Sequence, residues 1–207
     1  MTPLMVAAAA GHTAIAPDAR RGGADVAAAA PDGTTALMAA ASSNRGEVVR
    51  LLIASGANVN AKNSGGMTAL MIAAFGGYPD PVRVLLEHRA DPNAKNNQGR
   101  TALMAAMAGA ETAVVQALLG AGADFRAVDA GGVGAMTYAA ASGATGAIEA
   151  LLKRGAKPSG DDVMAAAADC HRAGAAPAAR LRDQAERSGR RQGAAARWPP
   201  ANAASTP

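Results

Sequence analysis

A motif that recurs every 33 residues constrains the fold of this chain more than any other feature of the sequence. In four copies a threonine is followed by leucine two residues later and by methionine three residues later. These copies start at Thr2, Thr35, Thr68 and Thr101. A fifth copy starts at Gly134, where Met136 replaces the leucine and Thr137 replaces the methionine. Repetition at this period is typical of a solenoid, in which each unit packs only on its neighbours.

The pattern within one copy predicts two short helices. The threonine is suited to the N-cap of the first helix, because its hydroxyl can accept a hydrogen bond from a free backbone amide. Apolar residues spaced three and four apart give each helix one apolar stripe. A glycine stands 21 residues after four of the five starts, with Arg89 as the exception, and we expect it to end the second helix in a left-handed conformation.

These motifs resemble the ankyrin repeat. Thr-Pro-Leu-Met-Val-Ala at 2–7 and Thr-Ala-Leu-Met-x-Ala in the next three copies stand where that family has Thr-Pro-Leu-His-x-Ala. The turn at 56–62 matches the end of the family's repeat, and the resemblance covers residues 1–158. It implies an all-α solenoid of helix-turn-helix units with β-turn or hairpin-like finger loops. It also implies a non-catalytic module that binds another protein.

The methionine column departs from the family pattern. In ankyrin repeats the histidine at this place hydrogen-bonds near the threonine hydroxyl and ties neighbouring repeats together. A thioether is only a weak acceptor. We therefore expect the repeats of this chain to be held together by apolar packing, to which methionine adapts well.

The register of the copies divides the chain into segments. In the first copy Pro17 interrupts the expected second helix, which indicates a degenerate N-terminal repeat. In the third copy we expect Asp80 to cap the second helix and Pro81 to be its first residue. After Pro158 the register slips. The predicted segments are a degenerate N-terminal repeat (1–33), four repeats (34–66, 67–99, 100–132, 133–158), a degenerate C-terminal capping repeat (159–188) and a disordered basic tail (189–207).

Charge and composition set limits on partners and location. Residues 1–171 carry 13 Lys/Arg and 14 Asp/Glu, whereas residues 172–207 carry 7 arginines and 2 acids, so the basic character belongs to the tail. Nearly neutral repeats argue against binding of nucleic acid. The absence of a long apolar run predicts no transmembrane segment. The N-terminus lacks the basic region of a signal peptide. We expect a cytoplasmic, monomeric protein from a bacterial-type genome, although a truncated N-terminus would undo the assignment of compartment.

No residue pattern predicts catalysis, a metal or a cofactor. The single cysteine, Cys170, precedes His171, but adjacent helix residues do not face each other. The cysteine and histidine spacing of a zinc site is missing. The glycine pairs at 65–66 and 131–132 lack the lysine of a phosphate-binding loop and follow no strand. We therefore predict that the protein is not an enzyme.

The favoured function is recognition of a partner protein on a concave face, which a stack of repeats leaves between its turn tips and its first helices. The predicted partner-binding residues are Ser42, Ser43, Ser64, Met67, Phe75, Asn97, Gln98, Arg100 and Val133. Met67, Phe75 and Arg100 are the preferred anchors, because Met, aromatic and Arg side chains are enriched in interfaces. Packing of Phe75 between two repeats is the alternative.

A second hypothesis places binding in the tail. An adaptor could use this segment to contact nucleic acid, an acidic protein or an anionic membrane surface. Trp198 is the one aromatic residue among these arginines, which does not favour stacking on bases. The arginines concerned are Arg180, Arg182, Arg187, Arg190, Arg191 and Arg197.

Overall fold

The computed structural model describes residues 2–13, 25–109, 111–160 and 162. These residues form nine α-helices and no strand, which confirms the predicted all-α solenoid. The helices are α1 (Pro3–Ala10), α2 (Ala36–Ser42), α3 (Gly46–Ala54), α4 (Ala69–Phe75), α5 (Pro79–Glu87), α6 (Ala102–Gly109), α7 (Thr112–Gly120), α8 (Ala135–Ala141) and α9 (Thr145–Lys153). The predicted interruption at Pro17, most of the C-terminal cap and the whole basic tail lie outside the described residues.

Stacking of like helices builds the solenoid. The first helices of successive copies pack side by side, in the order α1, α2, α4, α6 and α8. The second helices form a parallel layer in the order α3, α5, α7 and α9. Alanine occupies many of the fully buried positions, because small side chains let neighbouring helices approach closely.

The threonine that opens each of the first four copies caps its helix, as predicted. In every case its hydroxyl accepts a hydrogen bond from the backbone amide of the methionine three residues later, at 3.3 to 3.4 Å. The cap satisfies one of the amides that a helix N-terminus leaves without an intrahelical partner. Thr68 and Thr101 are buried, and the cap gives each of their hydroxyls a hydrogen-bond partner.

Left-handed residues follow the second helices, also as predicted. Gly56, Gly122 and Gly155 have φ angles of 94°, 87° and 84°. Arg89 stands at the same place in the third copy and has φ 63°, so the chain keeps the turn there although arginine carries a Cβ. A left-handed conformation is unfavourable for such a residue. The backbone geometry of the repeat has therefore overridden a local preference.

The predicted start of α5 is wrong by two residues. The N-cap is Tyr78 and the first helical residue is Pro79, so Asp80 and Pro81 both lie inside the first turn. Proline is favoured at the first helical position, and Pro79 satisfies that preference as well as Pro81 would. Pro81 is still tolerated, because the amides of the first turn have no partner within the helix.

Buried methionines line the stack of first helices. Met5, Met38, Met71 and Met104 are at most 2% exposed and belong to one continuous apolar core. The fifth copy differs, because Thr137 stands in this column. Its hydroxyl donates a hydrogen bond of 2.5 Å to Oδ1 of Asp162, which is also buried.

Asp162 lies near the start of the segment predicted to cap the stack, residues 159–188 (the capping segment). Its amide donates to the hydroxyl of Ser159, and its Oδ2 accepts from the amide of Ser159 at 2.6 Å. This reciprocal pair has the form of a capping box. Asp162 stands three residues after Ser159, as each methionine stands three residues after its threonine, so a polar link replaces the apolar column at this junction.

The loops between copies are fingers joined to one another by hydrogen bonds. The amides of Ser64, Asn97 and Ala130 each donate to a carbonyl of the preceding finger, at 2.8 to 3.1 Å. The corresponding residue of the first described finger is Pro31, which has no amide hydrogen to donate. Two fingers also contain a single β-bridge, Ala29 with Thr35 and Val128 with Gly134.

Asparagine side chains add a second set of links. Asn60 donates to the carbonyl of Arg89 and accepts from the amide of Asp91, at 3.4 and 2.9 Å. Asn93 repeats both bonds with Gly122 and Asp124, at 3.1 and 2.7 Å. The expectation that apolar packing alone would hold the repeats together is therefore incomplete. The buried methionines act on one side of the stack and polar bridges act on the finger side.

Candidate protein-binding face

The nine residues predicted to bind a partner come from two kinds of element, and together they define the candidate face. Three lie at the C-terminal ends of first helices: Ser42, Ser43 and Phe75. Six lie in the fingers: Ser64, Met67, Asn97, Gln98, Arg100 and Val133. Because both sets recur at the repeat period, successive members follow one another from repeat to repeat along the stack.

Phe75 is the most exposed large apolar residue of the described chain. It is the last residue of α4, and 62% of its surface is accessible. This exposure excludes the alternative in which Phe75 packs between two repeats. Gly76 follows it with the ring of Tyr78 packed against it, and a Cβ on Gly109 of the next first helix would lie 3.1 Å from the Phe75 carbonyl oxygen. The Phe75 backbone therefore adjoins glycine backbone, while its side chain remains largely exposed.

The two serines of the helix-end row differ in exposure. Ser42 is exposed, and its hydroxyl donates to the carbonyl of Ala39 at 2.9 Å. Ser43 is half-buried and forms the C-cap of α2. A Ser42 hydroxyl engaged with its own helix still has acceptor capacity for a ligand.

The finger-tip residues are exposed and are held by hydrogen bonds both between fingers and within one finger. The side-chain amide of Asn97 donates to the carbonyl of Ser64 at 2.8 Å. Gln98 is exposed, and its backbone amide donates to Oδ1 of Asn96 at 2.9 Å. These bonds fix the backbone of the tips, while the side chain of Gln98 extends towards solvent.

Met67 and Val133 are integrated into the fingers more than the other predicted residues. Both are half-buried. Met67 packs against the apolar core, and its sulfur accepts a hydrogen bond from the Asn96 side chain at 3.3 Å. The amide of Val133 donates to Oδ1 of Asp129 at 2.9 Å. Each offers only part of its side chain to a ligand.

Arg100 belongs to a cluster with Asp129 and Tyr138. Its Nε lies 3.8 Å from Oδ2 of Asp129, and its guanidinium carbon lies 5.4 Å from the centre of the Tyr138 ring. The Tyr138 hydroxyl donates to the same Asp129 oxygen at 2.7 Å. Parts of two successive copies meet here, because Arg100 precedes α6, Asp129 belongs to the following finger and Tyr138 lies in α8.

The cluster keeps Asp129 ionised. The hydrogen bond from Tyr138 is the largest cause of a lowered Asp129 pKa, followed by the amide of Val133, and the charge of Arg100 also contributes. The pKa of Tyr138 is raised, first by partial burial and then by its hydrogen bond to Asp129. Each shift favours the protonation state that the hydrogen bond requires.

Sequence reasoning selected Arg100 but missed Asp129 and Tyr138. Asp129 occupies the same place in its finger as Asn63 and Asn96, so its period marked it as a turn residue. Tyr138 stands at the variable place between Thr137 and Ala139, where the fourth copy has Ala105. One feature of the sequence could have identified Tyr138. It is one of only two tyrosines, and the other copies have aliphatic residues at its position.

The described residues lack the geometry of a metal centre and of a membrane-spanning helix. No group of three His, Cys, Asp or Glu side chains in this part of the chain is placed to hold a metal ion. The ring of His88 hydrogen-bonds the carbonyl of Val84 at 2.9 Å, which accounts for its place at the end of α5. None of the described helices has the length and apolar content needed to cross a bilayer.

Comparison with known families identifies the architecture. The family model for ankyrin repeats in three copies matches the chain twice, over residues 4–96 and 89–162. This chain belongs to the ankyrin-repeat family. The matches include every described helix except the first residue of α1. No curated protein matches the ankyrin-repeat chain. Ankyrin repeats generally mediate protein–protein interactions and are typically not catalytic.

Proposed function

We propose that this ankyrin-repeat protein binds a partner protein through the candidate face, which we take to be the concave face of the stack, and that it performs no catalysis. The exposure of Phe75 is the observation that carries the proposal. Exposure of a large apolar side chain to water does not stabilise the isolated chain, whereas burial of its ring by a partner stabilises a complex. The exposed Phe75 ring is accessible to such a partner.

The fingers support the same proposal. Their tips are linked by backbone hydrogen bonds, so the exposed side chains of Asn97 and Gln98 stand on a backbone that is already ordered. A surface that is ordered before binding loses less conformational entropy when a partner docks. The proposal thus combines one apolar anchor with a rigid polar margin, an arrangement common in protein interfaces.

Replacement of Phe75 tests the proposal. The wild-type chain, Phe75→Ala and the control Val128→Ala are used in parallel to capture proteins from a lysate of the source cells. Val128 is also an exposed apolar residue, 46% accessible, but it does not belong to the candidate face. We expect a specific protein to be retained by wild type and Val128→Ala and lost with Phe75→Ala. Equal retention by all three chains would reject the proposed face.

The arginine-rich tail supplies the second candidate, favoured by the net charge of +5 of residues 172–207. A chain ending at residue 188 separates the two. A protein that only the full-length chain retains, and that is released by salt, would locate binding in the tail, because exposed charge interactions are screened. A protein retained by both lengths and lost with Phe75→Ala would locate it on the candidate face.

A further inference from the structure

We infer that Arg100 is a receptor for a carboxylate, and that the partner presents an acidic peptide segment to the candidate face. The inference rests on the proposed function and adds the chemistry of the partner. It predicts an Asp or Glu side chain of the partner against the Arg100 guanidinium and an apolar side chain against Phe75.

Arg100 is held in place by Asp129 and Tyr138, but these contacts engage only part of its N–H donors. Its Nε lies 3.8 Å from the Asp129 carboxylate, which is an ion pair beyond hydrogen-bond distance. The carboxylate is already occupied, since it accepts from the Tyr138 hydroxyl and from the amides of Gly131 and Val133. The guanidinium also interacts with the Tyr138 side chain, over whose ring it lies. Arginine has five N–H donors, more than these two contacts can engage. Its planar array of N–H donors is therefore held in place by charge and by the Tyr138 ring, and is open to an external acceptor.

The Arg100–Asp129 pair presents its cation, and not its carboxylate, to solvent. The Arg100 side chain is 47% exposed, whereas the side chain of Asp129 is 8% exposed. A docking partner therefore meets the cation and not the carboxylate beneath it. Arg100 is also the single charged residue among the nine of the candidate face. Charge complementarity points to an anionic group on the partner.

A carboxylate fits the single Arg100 guanidinium better than other anions do. Phosphorylated and nucleic-acid ligands are recognised by clusters of basic side chains, and the candidate face has one. A single guanidinium matches a single carboxylate, with which it can form two parallel hydrogen bonds. The neighbouring apolar anchor fits a peptide side chain and has no counterpart in a free anion.

The repeat geometry fixes the spacing of the two partner side chains. Arg100 lies just before the N-terminus of α6, and Phe75 lies beside Gly109 at its C-terminus. The eight residues of α6 separate the two anchors by about 12 Å. An extended peptide covers this distance with roughly three or four residues. We therefore expect the acidic and apolar residues of the partner segment to stand that far apart in an extended ligand.

A displayed library of random peptides, each about a dozen residues long so that it spans both anchors, supplies the test. Peptides are selected on the full-length chain, and the affinities of the enriched sequences are measured for wild type, Arg100→Gln and Arg126→Gln. Arg126 is a matched control, because it is exposed and also lies over an aromatic ring, Phe125, at 5.3 Å, but is not part of the candidate face.

The expected outcome has three parts. Enriched peptides carry Asp or Glu together with an apolar residue. Arg100→Gln weakens their binding roughly tenfold or more, as expected for loss of a charge-assisted hydrogen bond, while Arg126→Gln has no effect. Salt weakens binding to wild type more than binding to Arg100→Gln.

Two other outcomes separate the inference from the proposed function. Peptides that lack acidic residues, bind Arg100→Gln as well as wild type and lose affinity with Phe75→Ala would overturn the carboxylate receptor and retain the face. Peptides whose affinity is unchanged by Phe75→Ala and by Arg100→Gln would overturn the carboxylate receptor and the proposed face together. The same conclusion would follow if no peptide were enriched on wild type relative to a chain that carries both substitutions.

Discussion

The hydroxyl of Tyr138 donates a 2.7 Å hydrogen bond to Asp129, and the Asp129 carboxylate is in turn paired with Arg100. Tyr138 comes from α8 and Asp129 from the finger that precedes it, so the bond ties a helix to its own finger. The same bond determines how Arg100 is presented, because it holds both the ring beneath the guanidinium and the carboxylate beside it. Tyr138 thus contributes both to the stability of the fifth copy and to the position of Arg100 on the candidate face.

Replacement of Tyr138 by phenylalanine should lower stability in a pH-dependent manner. The folded-state pKa of Asp129 is below its ordinary value of 3.8, chiefly because of the Tyr138 hydroxyl. A lowered folded pKa stabilises the folded chain above the unfolded pKa, and this contribution is lost as pH falls through the folded pKa. Tyr138→Phe should therefore unfold more easily than wild type at neutral pH, and the difference should narrow below pH 3.8.

Urea denaturation followed by circular dichroism across this pH range measures the effect. Tyr78→Phe is the control, because the Tyr78 hydroxyl makes no hydrogen bond within the described residues. A gap between Tyr138→Phe and wild type that stayed constant with pH would show that ionisation of Asp129 is not coupled to the tyrosine.

Arg89→Gly should stabilise the chain. Arg89 has φ 63° at a place where other copies have glycine, and its side chain is exposed. A left-handed conformation costs a residue with a Cβ about 1 kcal/mol or more, and glycine avoids that cost. We expect a gain of about 1 kcal/mol, which raises the melting temperature by a few degrees. Asn44→Gly is the comparison, because Asn44 also has a positive φ but asparagine tolerates it, so its effect should be smaller.

The general fold could be predicted because it depends on features that recur. Thr35, Leu37 and Gly56 each have counterparts one period away, and a repeated position reports a repeated environment. The caps and the left-handed turns followed directly from this regularity. The start of α5 was misplaced because two prolines compete for one turn, and only the packing of that helix decides between them.

The candidate site was harder to predict from the sequence, because it depends on contacts between residues that stand at different positions within the repeat. Exposure of Phe75 and Arg100 could be expected from their offsets. The cluster around Arg100 could not, because Tyr138 is 38 positions further along the chain and interacts only through stacking of the fourth and fifth copies. The asparagine bridges were also missed, because the asparagine side chains bond to backbone groups of the next repeat, and backbone groups carry no sequence signal.

Asn60→Ala and Asn93→Ala should each destabilise the stack. Each substitution removes two hydrogen bonds that join one repeat to the next. These bonds are exposed and water can replace part of them, so we expect a loss of about 1–2 kcal/mol per substitution. Gln98→Ala removes an exposed amide whose side chain makes no described hydrogen bond, and should be nearly neutral. Urea denaturation that placed all three variants at the wild-type midpoint would show that the asparagine bridges do not stabilise the stack.

The polar junction between the fifth copy and the capping segment makes a prediction about coupled substitutions. Thr137→Val leaves the buried carboxylate of Asp162 without one of the two hydrogen-bond donors that the described residues give it. Loss of the hydrogen-bond partner of a buried polar group destabilises the folded chain by about 1–3 kcal/mol, and by more when the group is charged. Asp162→Leu alone places an apolar side chain against the Thr137 hydroxyl and should also destabilise. With Thr137→Met and Asp162→Leu together, the junction becomes apolar like the earlier methionine column, and replacement of both polar partners by apolar groups can be nearly neutral.

A double-mutant cycle with Thr137→Met, Asp162→Leu and the combined variant measures the interaction in urea denaturation. We expect the combined loss of stability to be clearly smaller than the sum of the two single losses. Simple additivity would mean that the Thr137 hydrogen bond does not couple the fifth copy to the capping segment, and that Asp162 is stabilised by Ser159 alone.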